Sequence, residues 1–153
     1  MANLIFENSP EIAWYTDLYP FFSQIPGAIG GYDWLWTDVE LNCALPLPES
    51  ADGSYWLSGE ELWRFVQSRP QFIWSVLSAI PREKRAEAEA CDAWPYADGN
   101  GSLWLGSPTP QHPYADFEIV CWDSGATLLI NGDEQFSKAF RQAYPGAADL
   151  RAD

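Results

Sequence analysis

The sequence predicts an α+β fold in which a mainly antiparallel β-sheet is covered by helices, within a single domain spanning residues 1–153. The length of 153 residues is close to the commonest domain size, and a hydrophobic content of 47% supplies enough apolar side chains for one core. Segments with the two-residue alternation of strands are interspersed with segments of helical spacing. No internal repeat or long linker divides the chain, so we expect one folding unit.

The expected strands are bounded by turn and loop residues. The turn Asp123-Ser124-Gly125 separates two strand-like segments, 117–122 and 126–130, which therefore form a hairpin. Residues 71–80 are apolar on both faces, which favours a central strand over the helix that their spacing also permits. Residues 55–57 resemble a further short strand. The main strands are expected near residue 4 and at 32–43, 72–80, 117–122 and 126–130.

Helix starts are marked by capping residues. Ser58 followed by Glu61 forms a capping box, and the apolar residues after it recur at helical spacing. Ser9-Pro10-Glu11 combines an N-cap, a proline at the first helical position and an acid in the first turn. Pro20 is expected to end that first helix. The expected helices therefore cover about 10–19, 59–68 and 133–144, with a short solvated helix over 81–90.

Negative charge is concentrated in the first half of the chain. No lysine or arginine precedes Arg64, whereas ten acidic residues do, and the whole chain has a formal net charge of −14. This half is too rich in aromatic residues for a disordered acidic tail, so it predicts a folded negative surface. Such a surface repels nucleic acid and anionic membranes and attracts cationic proteins over about 10 Å. We therefore expect a basic protein partner, and neither a nucleic acid nor a membrane.

A recognition surface is predicted on the strand over 32–43. Strict alternation places Trp34, Trp36, Asp38, Glu40 and Asn42 on one face, and Leu35, Val39, Leu41 and Cys43 on the other. The alternative buries both tryptophans beneath a helix and leaves only the two carboxylates in water. The predicted partner-binding residues are Asp33, Trp34, Trp36, Asp38, Glu40, Glu49, Asp52, Glu60 and Glu61. For the last two, favourable interaction with the helix dipole is a sufficient explanation without any partner.

The sequence offers few groups for catalysis or metal binding. His112 is the one histidine, which argues against a histidine metal site or a catalytic triad. The stretch 98–102 departs from a calcium loop at its sixth and twelfth positions, so an Asx or hairpin turn is favoured. Cys43, Cys91 and Cys121 lack C-x-x-C spacing, and we expect buried, reduced thiols. We therefore expect no enzyme activity, no metal and no cofactor.

Two further function classes stay open. Abundant acids and aromatic rings would also suit a carbohydrate-binding domain or a carboxylate pair that hydrolyses glycosides. A general acidic adaptor or nucleic-acid mimic would bind many basic proteins weakly and lose them near physiological salt. The N-terminal residues 1–7 lack the basic and apolar regions of a signal peptide, and no apolar run reaches the roughly 20 residues of a membrane span. We expect a cytoplasmic protein.

The organisation of the chain resembles that of small bacterial immunity proteins encoded beside secreted polymorphic toxins. The likeness lies in the element order, the acidic first half and three C-terminal stretches, and it covers the C-terminal third best. The stretches are Phe117-Glu118-Ile119-Val120-Cys121-Trp122-Asp123-Ser124, Phe136-Ser137-Lys138-Ala139-Phe140 and Pro145-Gly146-Ala147-Ala148-Asp149-Leu150. The resemblance brings no fixed functional residues. It implies a cytoplasmic protein that binds a cognate toxin and occludes or distorts the toxin's active site.

Overall fold

The computed structural model of the chain describes residues 1–7, 14–44, 50 and 52–150. Within these ranges, one seven-stranded antiparallel sheet has the order β3-β2-β4-β5-β6-β1-β7, which confirms the α+β prediction. The strands are β1 Ala2–Phe6, β2 Tyr32–Leu41, β3 Tyr55–Leu57, β4 Phe72–Pro81, β5 Phe117–Trp122, β6 Ala126–Gly132 and β7 Ala148–Asp149. The helices are α1 Tyr19–Ser23, α2 Pro26–Ile29, α3 Gly59–Val66, α4 Arg85–Glu89 and α5 Glu134–Ala143, with 3₁₀ turns at Arg82–Lys84 and Gly101–Trp104.

The first predicted helix is wrong over its described part. Its start at residues 10–13 lies outside the described residues, and residues 14–18 form irregular structure and a turn. Helix α1 begins at Tyr19, and Pro20 lies in its first turn instead of ending a helix. Proline is compatible with this position because the first helical N–H groups have no intrahelical acceptor. The other predicted helices and strands are confirmed, whereas helix α2 and the two-residue strand β7 were not predicted.

One face of the sheet, which we call the inner face, packs against α1, α3 and α5. Trp34 and Trp36 of β2 lie at its centre, in one cluster with aromatic residues from all three helices. The Trp36 ring centroid lies 4.7 Å from that of Phe72 and 5.7 Å from that of Phe65. Large aromatic rings bury much apolar area each, so this layer supplies most of the hydrophobic stabilisation.

The opposite, outer face is covered by residues 91–116, which we call the connector. The buried carboxylate of Glu118 on β5 accepts three hydrogen bonds, and two of them tie the connector down. Ser78 Oγ donates to it at 2.7 Å, and the backbone N–H groups of Gln111 and His112 donate at 2.6 and 3.1 Å. Thr37 Oγ1 also donates to the carbonyl of Pro95 at 2.6 Å. A long segment without regular strands is thereby fixed on the sheet.

A β-bulge at Asp38 interrupts the alternation of β2. Asp38 has φ 54°, and the pairing of β2 with β4 shifts between Thr37 and Glu40. One extra residue in a strand reverses the face of every residue beyond it. Val39 and Leu41 therefore pack against the inner-face core that also holds the two tryptophans. The prediction that Trp34, Trp36, Asp38 and Glu40 share a single row on one face is wrong for this reason.

The start of α3 at Gly59 lies close against the backbone at the end of α2. A Cβ atom built on Gly59 would lie 2.5 Å from the carbonyl oxygen of Ile29 and 2.9 Å from Cα of Gly30. These contacts are with backbone atoms, which cannot move aside by a change of rotamer. Glycine is therefore required where α3 begins.

We expect Gly59→Ala to lower the free energy of unfolding by about 2 kcal/mol, because the added methyl group overpacks a rigid backbone contact. The matched control is Gly27→Ala in α2, where an added Cβ has no neighbour within 4 Å. This control should be neutral or slightly stabilising, because alanine is the better helix former. Urea unfolding measures both variants, and equal stability of the two would contradict the close approach.

Candidate functional site

The two tryptophans predicted to bind a partner are buried. Trp34 and Trp36 are each 0% exposed. The indole Nε1–H of Trp34 donates to the carbonyl of Ile29 at 3.1 Å, so even its polar atom is used internally. Their placement on a recognition surface is therefore wrong. The alternative, in which helices cover both rings, is what the structure contains.

Most of the predicted partner-binding acids have structural contacts within the chain. These contacts account for the positions of the acids without a partner. Glu40 is exposed, and within the described residues no hydrogen bond or ion pair engages it. Glu49 lies outside the described residues. The contacts are Asp33 with Arg85, Asp38 with the N–H groups of Ala97 and Asp98, Asp52 with Ser54, Glu60 with Arg64, and Glu61 with Ser58.

A broad open groove lies where α2 and the ends of β2, β4 and β5 meet the start of α5. We call it the acidic groove and define it by Tyr32, Glu83, Asp116 and Asp133, with Phe136 in its wall. Its volume is about 670 Å³, and an adjoining depression of about 280 Å³ shares all of these residues except Glu83. The Tyr32 hydroxyl donates to Asp116 Oδ2 at 3.1 Å. The groove is large enough for several side chains of a partner.

The electrostatics of the acidic groove favour a cation. Burial, followed by the carboxylates of Asp116, Asp133 and Glu83, raises the pKa of Tyr32 well above its usual value. All three carboxylates therefore act on one hydroxyl group. Lys84 is the one basic residue among the described residues that line the groove. The excess negative charge would attract a lysine or arginine side chain.

Three partly buried tryptophans lie on the outer face at the other end of β5. The Trp122 ring contacts Trp74 and Trp104 edge-to-face, with centroid distances of 5.0 Å in both pairs. Glu40 is the direct cross-strand partner of Trp74, so the bulge in β2 places its carboxylate beside this cluster. We call Trp74, Trp104, Trp122 and Glu40 the tryptophan face. It places one exposed carboxylate beside partly buried rings, and these rings differ from the two that were predicted on β2.

Sequence reasoning missed most of these residues for identifiable reasons. The acidic groove joins β2 to residues more than 80 positions away, and no local pattern reports that contact. For the tryptophan face a signal was present. Alternation along the predicted strand 117–122 places Glu118, Val120 and Trp122 on one face. The other face holds Phe117, Ile119 and Cys121. Which face of the sheet the Trp74 side chain occupies depends on the strand pairing, and the sequence does not determine that pairing.

The described residues contain little else that suggests catalysis. Burial lowers the pKa of His112, whose Nδ1 accepts a hydrogen bond from the Tyr114 N–H at 3.1 Å. Within the described ranges, no group of three or more histidine, cysteine, aspartate or glutamate residues is arranged to hold a metal ion. The expectation of buried thiols is correct for Cys121 and wrong for Cys43, which is exposed, while Cys91 is partly buried.

Comparison with protein-family models, curated proteins and solved structures finds no match to this chain. Among the described residues, every helix is too short or too polar to cross a membrane.

Glu118, the buried carboxylate that holds the connector, should make the stability of the protein depend on pH. Burial raises the pKa of Glu118 above its ordinary value of 4.5, despite the three donors that lower it. The folded protein therefore binds more protons than the unfolded chain just above pH 4.5, and stability contributed by this group falls as pH rises through that window.

Glu118→Gln removes this proton linkage. We expect the stability of the variant relative to the original protein to rise with pH from 4.5 upward, by at most about 1.4 kcal/mol per pH unit. Urea unfolding at a series of pH values measures the difference, with the exposed Glu87→Gln as control. A constant or falling difference would contradict the raised pKa.

Proposed function

We propose that this chain is a cytoplasmic immunity protein that binds one basic toxin domain and neutralises it. The observation that carries the proposal is the acidic groove, an open concavity with three carboxylates and one lysine. The resemblance of its sequence organisation to immunity proteins of polymorphic toxin systems supports the same proposal. The partner is proposed to insert basic side chains between Glu83 and Asp116, next to Asp133, whose carboxylate also caps α5 by accepting the Phe136 N–H.

The charge of the chain supports fast association with such a partner. A net charge of −14 on 153 residues creates a long-range attraction for a cationic protein. Electrostatic steering can raise association rates to about 10⁸ M⁻¹s⁻¹ at low salt. An immunity protein benefits from this speed because it must bind the toxin before the toxin reaches its target.

The same charge suggests how inhibition would occur. A toxin that acts on a nucleic acid uses basic groups to bind phosphates. Carboxylates of the acidic groove would occupy those groups and exclude the polyanion. The chain needs no catalytic group of its own for this mechanism.

Exposed aromatic side chains on the connector support a second hypothesis, carbohydrate binding. Trp94 is 42% exposed and Tyr96 is 43% exposed, and sugars stack on such rings. A glycan array distinguishes the two hypotheses. Saturable binding to one glycan, lost in Trp94→Ala, would favour the carbohydrate hypothesis over the immunity hypothesis.

Reversing charge in the groove tests the immunity hypothesis. We expect the double variant Glu83→Lys/Asp116→Lys to weaken binding of the basic partner by about 100-fold, because two attractive contacts become repulsive. The partner is captured on the unmodified protein at low and at physiological salt, identified by mass spectrometry and purified. Its dissociation constant is then measured by calorimetry.

The matched control is Glu87→Lys/Asp92→Lys, which changes the net charge equally with exposed residues outside the groove. This control should retain most of the affinity. A single partner kept at both salt concentrations and lost only with the groove variant supports the proposal. Equal loss in both double variants, or no salt-resistant partner, would overturn it.

A further inference from the structure

The chain binds two of its own arginines by one repeated arrangement, in which an aromatic ring and a carboxylate share a guanidinium group. The first example is Arg85, whose Cζ lies 4.2 Å from the ring centroid of Trp56. Its Nη1 donates to Asp33 Oδ2 at 3.1 Å, and its Nε donates to Glu89. Ring and carboxylates therefore hold the same cation from different sides.

The second example is Arg69. Its Cζ lies 5.1 Å from the ring centroid of Tyr19, and its Nε donates to Asp17 Oδ2 at 3.0 Å. The Asp17 side chain is fully buried, while the arginine side chain is about half exposed. In two separate places, the fold therefore holds an arginine side chain between a carboxylate and an aromatic ring.

The tryptophan face has the same chemical parts without a cation. Glu40 pairs across the strands with Trp74, and the Trp74 ring contacts Trp122. Within the described ranges, no lysine or arginine forms an ion pair with Glu40 or a cation–π contact with these rings. The connector and the hairpin cannot supply one, because the sequence contains no lysine or arginine between Arg85 and Lys138.

We infer that the tryptophan face is a docking site for an arginine side chain of the basic partner. The guanidinium lies against the ring of Trp74 or Trp122 and forms an ion pair with Glu40. This inference rests on the proposed function and adds a second contact area to it. Trp122, at the end of β5, is six positions after Asp116 of the acidic groove, about 20 Å at the rise of a strand. One protein domain can span both sites.

The planar guanidinium is favoured over an ammonium group at this site. Arginine stacks on aromatic rings and donates to a carboxylate at the same time, whereas lysine presents a compact, strongly hydrated charge. Discrimination between the two cations is therefore the property that identifies this site. A general acidic surface would bind both peptides through charge alone.

The test uses a hexa-arginine peptide as the probe and hexalysine as the matched control, at about 0.15 M salt. Binding is followed by the indole N–H resonances and backbone amides of ¹⁵N-labelled protein. We expect hexa-arginine to shift the indole resonances of Trp74 and Trp122 and to bind about fivefold more tightly than hexalysine. Glu40→Gln should weaken hexa-arginine binding by about fivefold, whereas the exposed control Glu87→Gln should not.

Trp74→Leu provides a second variant that removes the ring, and Glu40→Gln stays informative if that variant does not fold. Arg151, the one basic residue outside the described ranges, follows Leu150, which packs against the same cluster. The titration is therefore repeated with Arg151→Ala, which should bind hexa-arginine at least as tightly as the original protein.

Shifts at backbone amides of the acidic groove with unmoved indole resonances would overturn the arginine site and leave the proposed function intact. Equal affinity of Glu40→Gln and the original protein, or equal affinity for both peptides, would also overturn it. Failure of both peptides to bind anywhere, even at low salt, would count against the proposed function as well.

Discussion

The bulge at Asp38 is the local constraint on which both candidate surfaces depend. Because one residue is added there, Val39 and Leu41 continue the inner face that begins with the two buried tryptophans. Glu40 is thereby turned to the outer face beside Trp74. The same aspartate accepts the backbone N–H groups of Ala97 and Asp98 at 2.8 and 2.9 Å, so it also holds the connector.

The cost of the bulge is a non-glycine residue at positive φ, which the hydrogen bonds of its carboxylate offset. The connector held in this way covers the outer face and ends at Asp116 in the acidic groove. Its second attachment is Glu118, which is only 1% exposed and accepts three hydrogen bonds. Two carboxylates, one on β2 and one on β5, therefore position a 26-residue segment that has no strand of its own.

The acidic residues fall into two groups according to their contacts within the chain. Some carboxylates cap helices, hold loops or bind the chain's own arginines, and these are satisfied within the fold. Glu40 and Glu83 are exposed. Among the described residues, the Asp116 carboxylate accepts a hydrogen bond from a neutral tyrosine and forms no ion pair. A carboxylate near a ring or a groove, without an arginine of its own chain, is the feature that supports recognition of a basic partner.

The fold class and most elements could be predicted because their signals are local. The capping box at Ser58, the apolar run of β4 and the turn after Trp122 each depend on neighbouring residues. The candidate site was less predictable. A bulge has no reliable single-sequence signal, so strict alternation assigned Trp34 and Trp36 to the wrong environment. The groove is built by contacts between residues far apart in the sequence, and those depend on the strand order.

Hydrogen exchange of the backbone amides, compared between the free protein and its complex with the captured basic partner, tests the binding surface most directly. Binding through the acidic groove and the tryptophan face predicts slower exchange at residues 113–116 and in the turn at 123–125. Both segments are loops whose amides make isolated turn and loop hydrogen bonds, such as Ala115 N–H to the His112 carbonyl and Gly125 N–H to the Trp122 carbonyl. Such amides exchange by local opening, which a bound partner suppresses. Protection confined to α1 and α3, with these two segments unchanged, would contradict it.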